Sequence, residues 1–62
     1  MALASHLTAE QRTRAERLAK LERIYDRLEL RAWTAERTGR FEDADRLYRM
    51  LDTVNARISV LL

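Results

Sequence analysis

The fold is decided by residues 18–61, LAKLERIYDRLELRAWTAERTGRFEDADRLYRMLDTVNARISVL. Apolar side chains recur there at alternating spacings of three and four residues, on both sides of Gly39. Such a repeat places side chains along one stripe of an α-helix. The stripe before the glycine consists of Leu18, Leu21, Tyr25, Leu28, Ala32 and Ala35. The stripe after it consists of Ala44, Leu47, Leu51, Val54, Ile58 and Leu61.

A chain that folds back at Gly39 brings these two stripes face to face. Ala35 then lies against Ala44 beside the turn, and Leu18 lies against Leu61 at the far end. The pattern therefore predicts a single all-α domain, an antiparallel two-helix hairpin that resembles a coiled coil.

Local signals place the ends of both helices. Thr8 and the glutamine three residues later form a capping box, which starts the first helix. Gly39 supplies the left-handed conformation that ends it. We expect the first helix at about 9–37, the turn at 38–40 and the second helix at about 41–62.

The composition limits the kinds of site that the chain can hold. It has 62 residues, no cysteine and a single histidine, His6. A domain of this size has a thin core, and this one cannot add a disulfide or a thiolate metal site. We therefore expect self-association to stabilise it, and we expect no catalytic residue, metal or cofactor.

A second set of apolar side chains lies outside the two stripes. Two helices share one seam, so they cannot bury this set as well. One interpretation is that these are scattered surface residues. The alternative, which we favour, is a second interface that pairs two hairpins in a dimeric four-helix bundle. The set consists of Ile24, Leu30, Trp33, Phe41, Tyr48, Met50 and Leu62. The candidate partner-binding residues are Leu30, Trp33, Phe41, Tyr48, Met50 and Leu62.

Three glutamates flank the seam of the first helix at intervals of seven residues, at positions 22, 29 and 36. On folding, we expect hydrogen bonds between Glu29 and Tyr48 and between Glu22 and Asn55. Exposed contacts of this kind stabilise a fold by only about 0.2–1 kcal/mol each.

Basic side chains on the first helix suggest an alternative function. Phosphate contacts by such a stripe would allow nucleic-acid binding. The stripe consists of Lys20, Arg23, Arg27 and Arg31. The simpler interpretation is a solvated surface with intrahelical ion pairs such as Glu16–Lys20, because acidic residues lie close by in the sequence.

Two family resemblances can be stated. Gly39, Phe41, Ala44 and Tyr48 resemble the turn and second helix of a tetratricopeptide repeat, although the first helix is about twice as long as a repeat's and no second repeat follows. The size and layout are similar to Rop-type plasmid regulators, small hairpins that dimerise into a four-helix bundle and bind RNA. That likeness is architectural, so it implies no site residues.

We therefore expect a non-enzymatic interaction or oligomerisation module, a small regulatory or adaptor protein that forms a homodimer. Binding to another protein is also compatible with the sequence. The alternatives are a Rop-like nucleic-acid binder and a small inhibitor that docks on a larger enzyme. No run is long enough to cross a membrane, and residues 1–7 are too short for a signal-peptide core, so we expect a cytoplasmic protein. The apolar end at 58–62 is expected to be buried or to continue into a longer chain.

Overall fold

The computed structural model describes residues 8–62. The expectation about His6 concerns a residue outside this range. Residues 8–62 form two α-helices, α1 from Ala9–Arg37 and α2 from Phe41–Leu61, which pack against each other as a hairpin. No helix in residues 8–62 is both long enough and apolar enough to span a membrane.

The start of α1 has the predicted capping box. The Thr8 hydroxyl accepts a hydrogen bond from the Gln11 backbone N–H at 3.0 Å, and the Thr8 N–H donates to the Gln11 side chain at 2.9 Å. These two bonds satisfy backbone donors that have no partner within the helix.

The turn between the helices is a Schellman motif around Gly39. Gly39 has a φ of +80°, the left-handed conformation that glycine adopts without strain. The Arg40 N–H donates to the Ala35 carbonyl at 2.8 Å, and the Gly39 N–H donates to the Glu36 carbonyl at 3.2 Å. The last carbonyls of α1 are thus paired, which ends the helix at the predicted place.

The predicted seam is the core of the hairpin. All twelve seam residues are buried or half-buried, and every other residue in 8–62 is exposed. The buried cluster lies nearer the turn and consists of Leu28, Ala32, Ala35, Ala44, Leu47 and Leu51. The half-buried seam residues lie nearer the other end and consist of Leu18, Leu21, Tyr25, Val54, Ile58 and Leu61.

The helix α1 is longer than α2, with 29 residues against 21. Its first residues, 9–17, precede the seam and are all exposed. This overhang of α1 is therefore solvated in the hairpin, with Arg14 and Arg17 near Leu61, the last residue of α2, and Leu62, which follows it.

Candidate interaction surfaces

The second apolar set remains exposed in the hairpin. Trp33 is 61% exposed and Phe41 is 69% exposed, and the other candidate partner-binding residues are also at the surface. Val60, which the prediction did not include, is 84% exposed. Val60 is an apolar residue outside both seam stripes, and this was the signal that could have identified it.

The hairpin has two broad sides, which are set by the heptad positions next to the seam. On α1, residues 22, 29 and 36 each follow a seam residue by one position, whereas 17, 24 and 31 each precede one. These two groups flank the seam on opposite sides. Because the helices are antiparallel, the residues that follow the seam on α2 share a side with those that follow it on α1.

One broad side carries mainly carboxylates and aromatic rings, and we call it the acidic face. Glu22, Asp26 and Asn55 line a shallow groove there at the end far from the turn. Glu36 contacts Tyr48 nearer the turn. The acidic groups of this face are Glu22, Asp26, Glu29, Glu36, Asp45 and Asp52. The apolar and aromatic residues are Trp33, Phe41, Tyr48 and Leu62.

The opposite broad side carries mainly guanidinium groups, and we call it the basic face. A groove near the turn is lined by Arg31, Arg46 and Met50, with Asp43 as its acidic residue. A second groove at the other end is lined by Arg17, Lys20, Ile24, Arg57 and Val60. The basic groups of this face are Arg17, Lys20, Arg27, Arg31, Arg40, Arg46 and Arg57.

Opposite charges are therefore separated rather than mixed. By heptad position, the flanking glutamates lie on the other side of α1 from most of the basic stripe. Neighbours in the sequence can lie on opposite sides of a helix, because residues one or two positions apart do not face each other. Of the four stripe residues, Lys20, Arg27 and Arg31 lie on the basic face, whereas Arg23 points outward, away from the seam.

The basic side chains of α1 also lack the predicted intrahelical partners. Within residues 8–62, the one ion pair joins Arg49 to Asp45 on α2. The Glu16–Lys20 pair does not form. Such exposed pairs must fix two long side chains for little gain in water, so their absence costs little.

Tyr48 forms the hydrogen bond that links the two helices on the acidic face. Its hydroxyl donates to the Glu36 carboxylate at 2.8 Å. The predicted partner, Glu29, is wrong, and Glu22 forms no hydrogen bond with Asn55. Side chains lean towards the N-terminus of their own helix, so Tyr48 leans towards the turn and Glu36 leans away from it. The two side chains therefore converge, whereas Tyr48 and Glu29 diverge.

The acidic face raises the pKa of Tyr48. The hydrogen bond to Glu36 raises the pKa of the phenol above its usual value, and partial burial and the negative charges of Glu36 and Glu29 raise this pKa further. The hydrogen bond is the largest cause, and the nearby carboxylates add to it because they oppose a second negative charge.

Leu30 and Trp33 are neighbours on the outer surface of α1, three residues apart, but they border different grooves. Leu30 borders the groove of the basic face beside Arg31, whereas Trp33 borders a groove with Glu36 and Arg37.

Comparison with protein-family models, with curated proteins and with solved structures gives no match. Among residues 8–62, no group of three His, Cys, Asp or Glu side chains could hold a metal ion. The surfaces themselves are therefore the basis for a functional proposal.

Proposed function

We propose that this protein is a non-enzymatic interaction module whose hairpin pairs with a second copy to form a dimeric four-helix bundle. The observation that carries the proposal is the set of large apolar side chains that stay exposed after the seam is filled. Trp33, Phe41 and Leu30 are each more than 60% exposed. Aromatic side chains in such positions are typical anchors of protein interfaces.

The thin core supports the same proposal. Three of its six buried residues are alanines, and nothing in the hairpin covers the outer sides of Ile58, Leu61 and Tyr25, which stay half-buried. A fully buried leucine stabilises a fold by about 1.5–3 kcal/mol, so a seam with few of them is a weak basis for stability. Packing a second hairpin on either broad face would cover these side chains.

Sedimentation velocity over roughly 1–100 μM tests the proposal, because the mean mass should rise from monomer to dimer. The melting temperature from circular dichroism should rise with concentration for the same reason. A monomer with a concentration-independent melting temperature throughout this range contradicts the proposal.

The substitution Trp33→Ala tests the role of the exposed aromatic residues. We expect the helix content of the variant to be unchanged and its self-association to weaken by about tenfold, as for an interface anchor. A loss of helix content would instead place Trp33 in the folded core and remove it from the candidate interface.

Nucleic-acid binding is the second candidate function, and the basic face favours it. Arg17, Lys20, Arg27 and Arg31 on α1 have no ion-pair partner within residues 8–62. Fluorescence anisotropy with a short RNA hairpin and a DNA duplex tests this candidate. Binding through phosphates should weaken steeply with added salt. No binding at low salt would remove this candidate.

A further inference from the structure

We propose that the second copy docks on the opposite face, so that the acidic face of one hairpin packs on the basic face of the next. This inference rests on the proposed self-association and names the two surfaces that meet. It replaces a twofold contact between identical surfaces with a head-to-tail contact between different ones.

The shape of the hairpin makes the two broad faces the available docking surfaces. The Cα atoms extend over 51 × 21 × 11 Å, so the molecule is a flat plate. A standard interface takes about 800 Å² from each partner, which is comparable to one broad face and much more than a thin edge offers. Docking therefore involves the acidic face, the basic face or both.

A contact between like faces is opposed by charge. Two acidic faces would bring Glu22, Glu29 and Glu36 of both copies into one interface. The basic groups that border this face are Arg37, beside Glu36, and Arg49, which is already paired with Asp45. Two basic faces would bring Arg17, Arg31 and Arg57 of both copies together, with Asp43 as the acidic residue. Like charges in an interface that excludes water oppose association strongly.

A contact between unlike faces pairs these groups. Arginine accounts for all but one of the chain's twelve basic residues. Its planar guanidinium binds carboxylates in a bidentate manner and stacks on aromatic rings. The acidic face offers both kinds of partner, carboxylates such as Glu29 and rings such as Trp33 and Tyr48.

The apolar residues fit the same arrangement. Ile24, Met50 and Val60 line the grooves of the basic face, whereas Phe41, Tyr48 and Leu62 lie on the acidic face. A contact between unlike faces buries one of these groups against the other. It also leaves one free face at each end of the pair, so further copies can add at high concentration.

Two charge-reversal variants test the inference by sedimentation. The basic-face variant is Arg27→Glu with Arg31→Glu, and the acidic-face variant is Glu22→Arg with Glu29→Arg. All four side chains are exposed, so circular dichroism should show unchanged helix content. In a head-to-tail contact each variant alone brings like charges together at two positions where opposite charges met, and its self-association should weaken at least about tenfold.

An equimolar mixture of the two variants should associate again, within about threefold of the unaltered chain, because their intact faces are complementary. Outward-facing reversals provide controls with the same net charges. Arg12→Glu with Arg23→Glu, at exposed positions away from both grooves, matches the basic-face variant, and Glu16→Arg with Glu42→Arg matches the acidic-face variant. Both controls should associate like the unaltered chain.

The outcomes separate the two proposals. An unaltered chain that stays monomeric refutes both the proposed function and the inference. If the unaltered chain associates but one of the two face variants does so equally well, the contact joins like faces. The inference is then wrong and the proposed function stands. Loss of association in both variants without recovery on mixing also overturns the inference.

Salt gives an independent readout on the unaltered chain. Contacts between opposite charges weaken as ions screen them, so association should fall by about tenfold between roughly 50 and 500 mM NaCl. Association that strengthens with salt indicates a contact between like charges and overturns the inference. An absorbance spectrum free of nucleic acid excludes bridging between two basic faces.

Discussion

The two halves of the seam follow the same heptad rhythm but are buried to different degrees. The turn half comprises the six buried residues, and the open half comprises the six half-buried ones. Three residues of the turn half are alanines, and Ala32 is 0% exposed. The open half is made almost entirely of large side chains that a single facing helix cannot surround. A regular pattern thus identifies which residues lie in an interface, while side-chain size decides how completely that interface is covered.

The largest expected effect that tests this comparison comes from truncating leucines in the two halves. Leu51→Ala in the turn half should lower the free energy of unfolding by about 2–5 kcal/mol, the usual cost of a cavity in a packed core. Leu61→Ala in the open half should cost less than half as much, since Leu61 is only half-buried. Urea denaturation at low protein concentration measures both values. Equal losses would mean that the two halves are packed alike.

Placing a larger side chain in the turn half should have the next largest effect on stability. Ala32→Leu adds volume where no space exists and should destabilise the hairpin by about 1–3 kcal/mol. The matched control is Ala56→Leu, which adds the same volume on the exposed side of α2 and should change stability by less than about 0.5 kcal/mol. If Ala32→Leu is as stable as its control, the helices are not in close contact beside the turn.

A substitution at the turn between the two helices should have a smaller effect on the free energy of unfolding. Gly39→Ala should cost about 1–2 kcal/mol, because a residue with a Cβ atom is strained at a φ of +80°. An added Cβ would meet no atom within 4 Å, so the cost is conformational and not steric. Gly39→Asn should recover part of the loss, as asparagine tolerates this conformation. Equal stability of the alanine and asparagine variants would contradict this explanation.

The smallest expected effect on stability comes from the hydrogen bond between Tyr48 and Glu36, which links the helices on the acidic face. The pKa of Tyr48 is raised, so the neutral phenol is favoured in the folded chain. The hydrogen bond between the neutral Tyr48 phenol and Glu36 therefore stabilises the fold at neutral pH. This contribution is lost as the pH rises through the raised pKa, above 10. Tyrosinate absorbance near 295 nm, compared between the unaltered chain and Tyr48→Phe, isolates this titration. Glu36→Gln should move it back towards the usual pKa, and a Tyr48 midpoint at or below 10 in the unaltered chain would contradict the assignment.

The seam was predictable because twelve residues follow the same alternating spacing of three and four. Each step of three or four residues specifies one helical stripe, and the mirrored order around Gly39 specifies the antiparallel pairing. The capping box at Thr8 and the glycine at the turn act through the backbone nearby, so they too are visible in sequence. The hydrogen-bond partner of Tyr48 was not predictable from the sequence. Glu29 and Glu36 are both plausible until the side-chain directions on the two antiparallel helices are compared.

The residues of the candidate surfaces stay a prediction. Their division between two broad faces follows from heptad position and not from closeness in the sequence. Heptad positions contain the correct information, since Glu29 follows the seam and Arg31 precedes it. The separation of acidic and basic groups onto two faces becomes clear only when the residues of both helices are assigned to the same two sides.

By itself, the sequence determined the two helices, their ends and the stripe on each that is buried, because these depend on helical periodicity and on backbone preferences within a few residues. Only the tertiary structure decided which carboxylate binds Tyr48 and how deeply each half of the seam is covered. Those properties depend on the position and direction of one helix relative to the other, which no local pattern specifies.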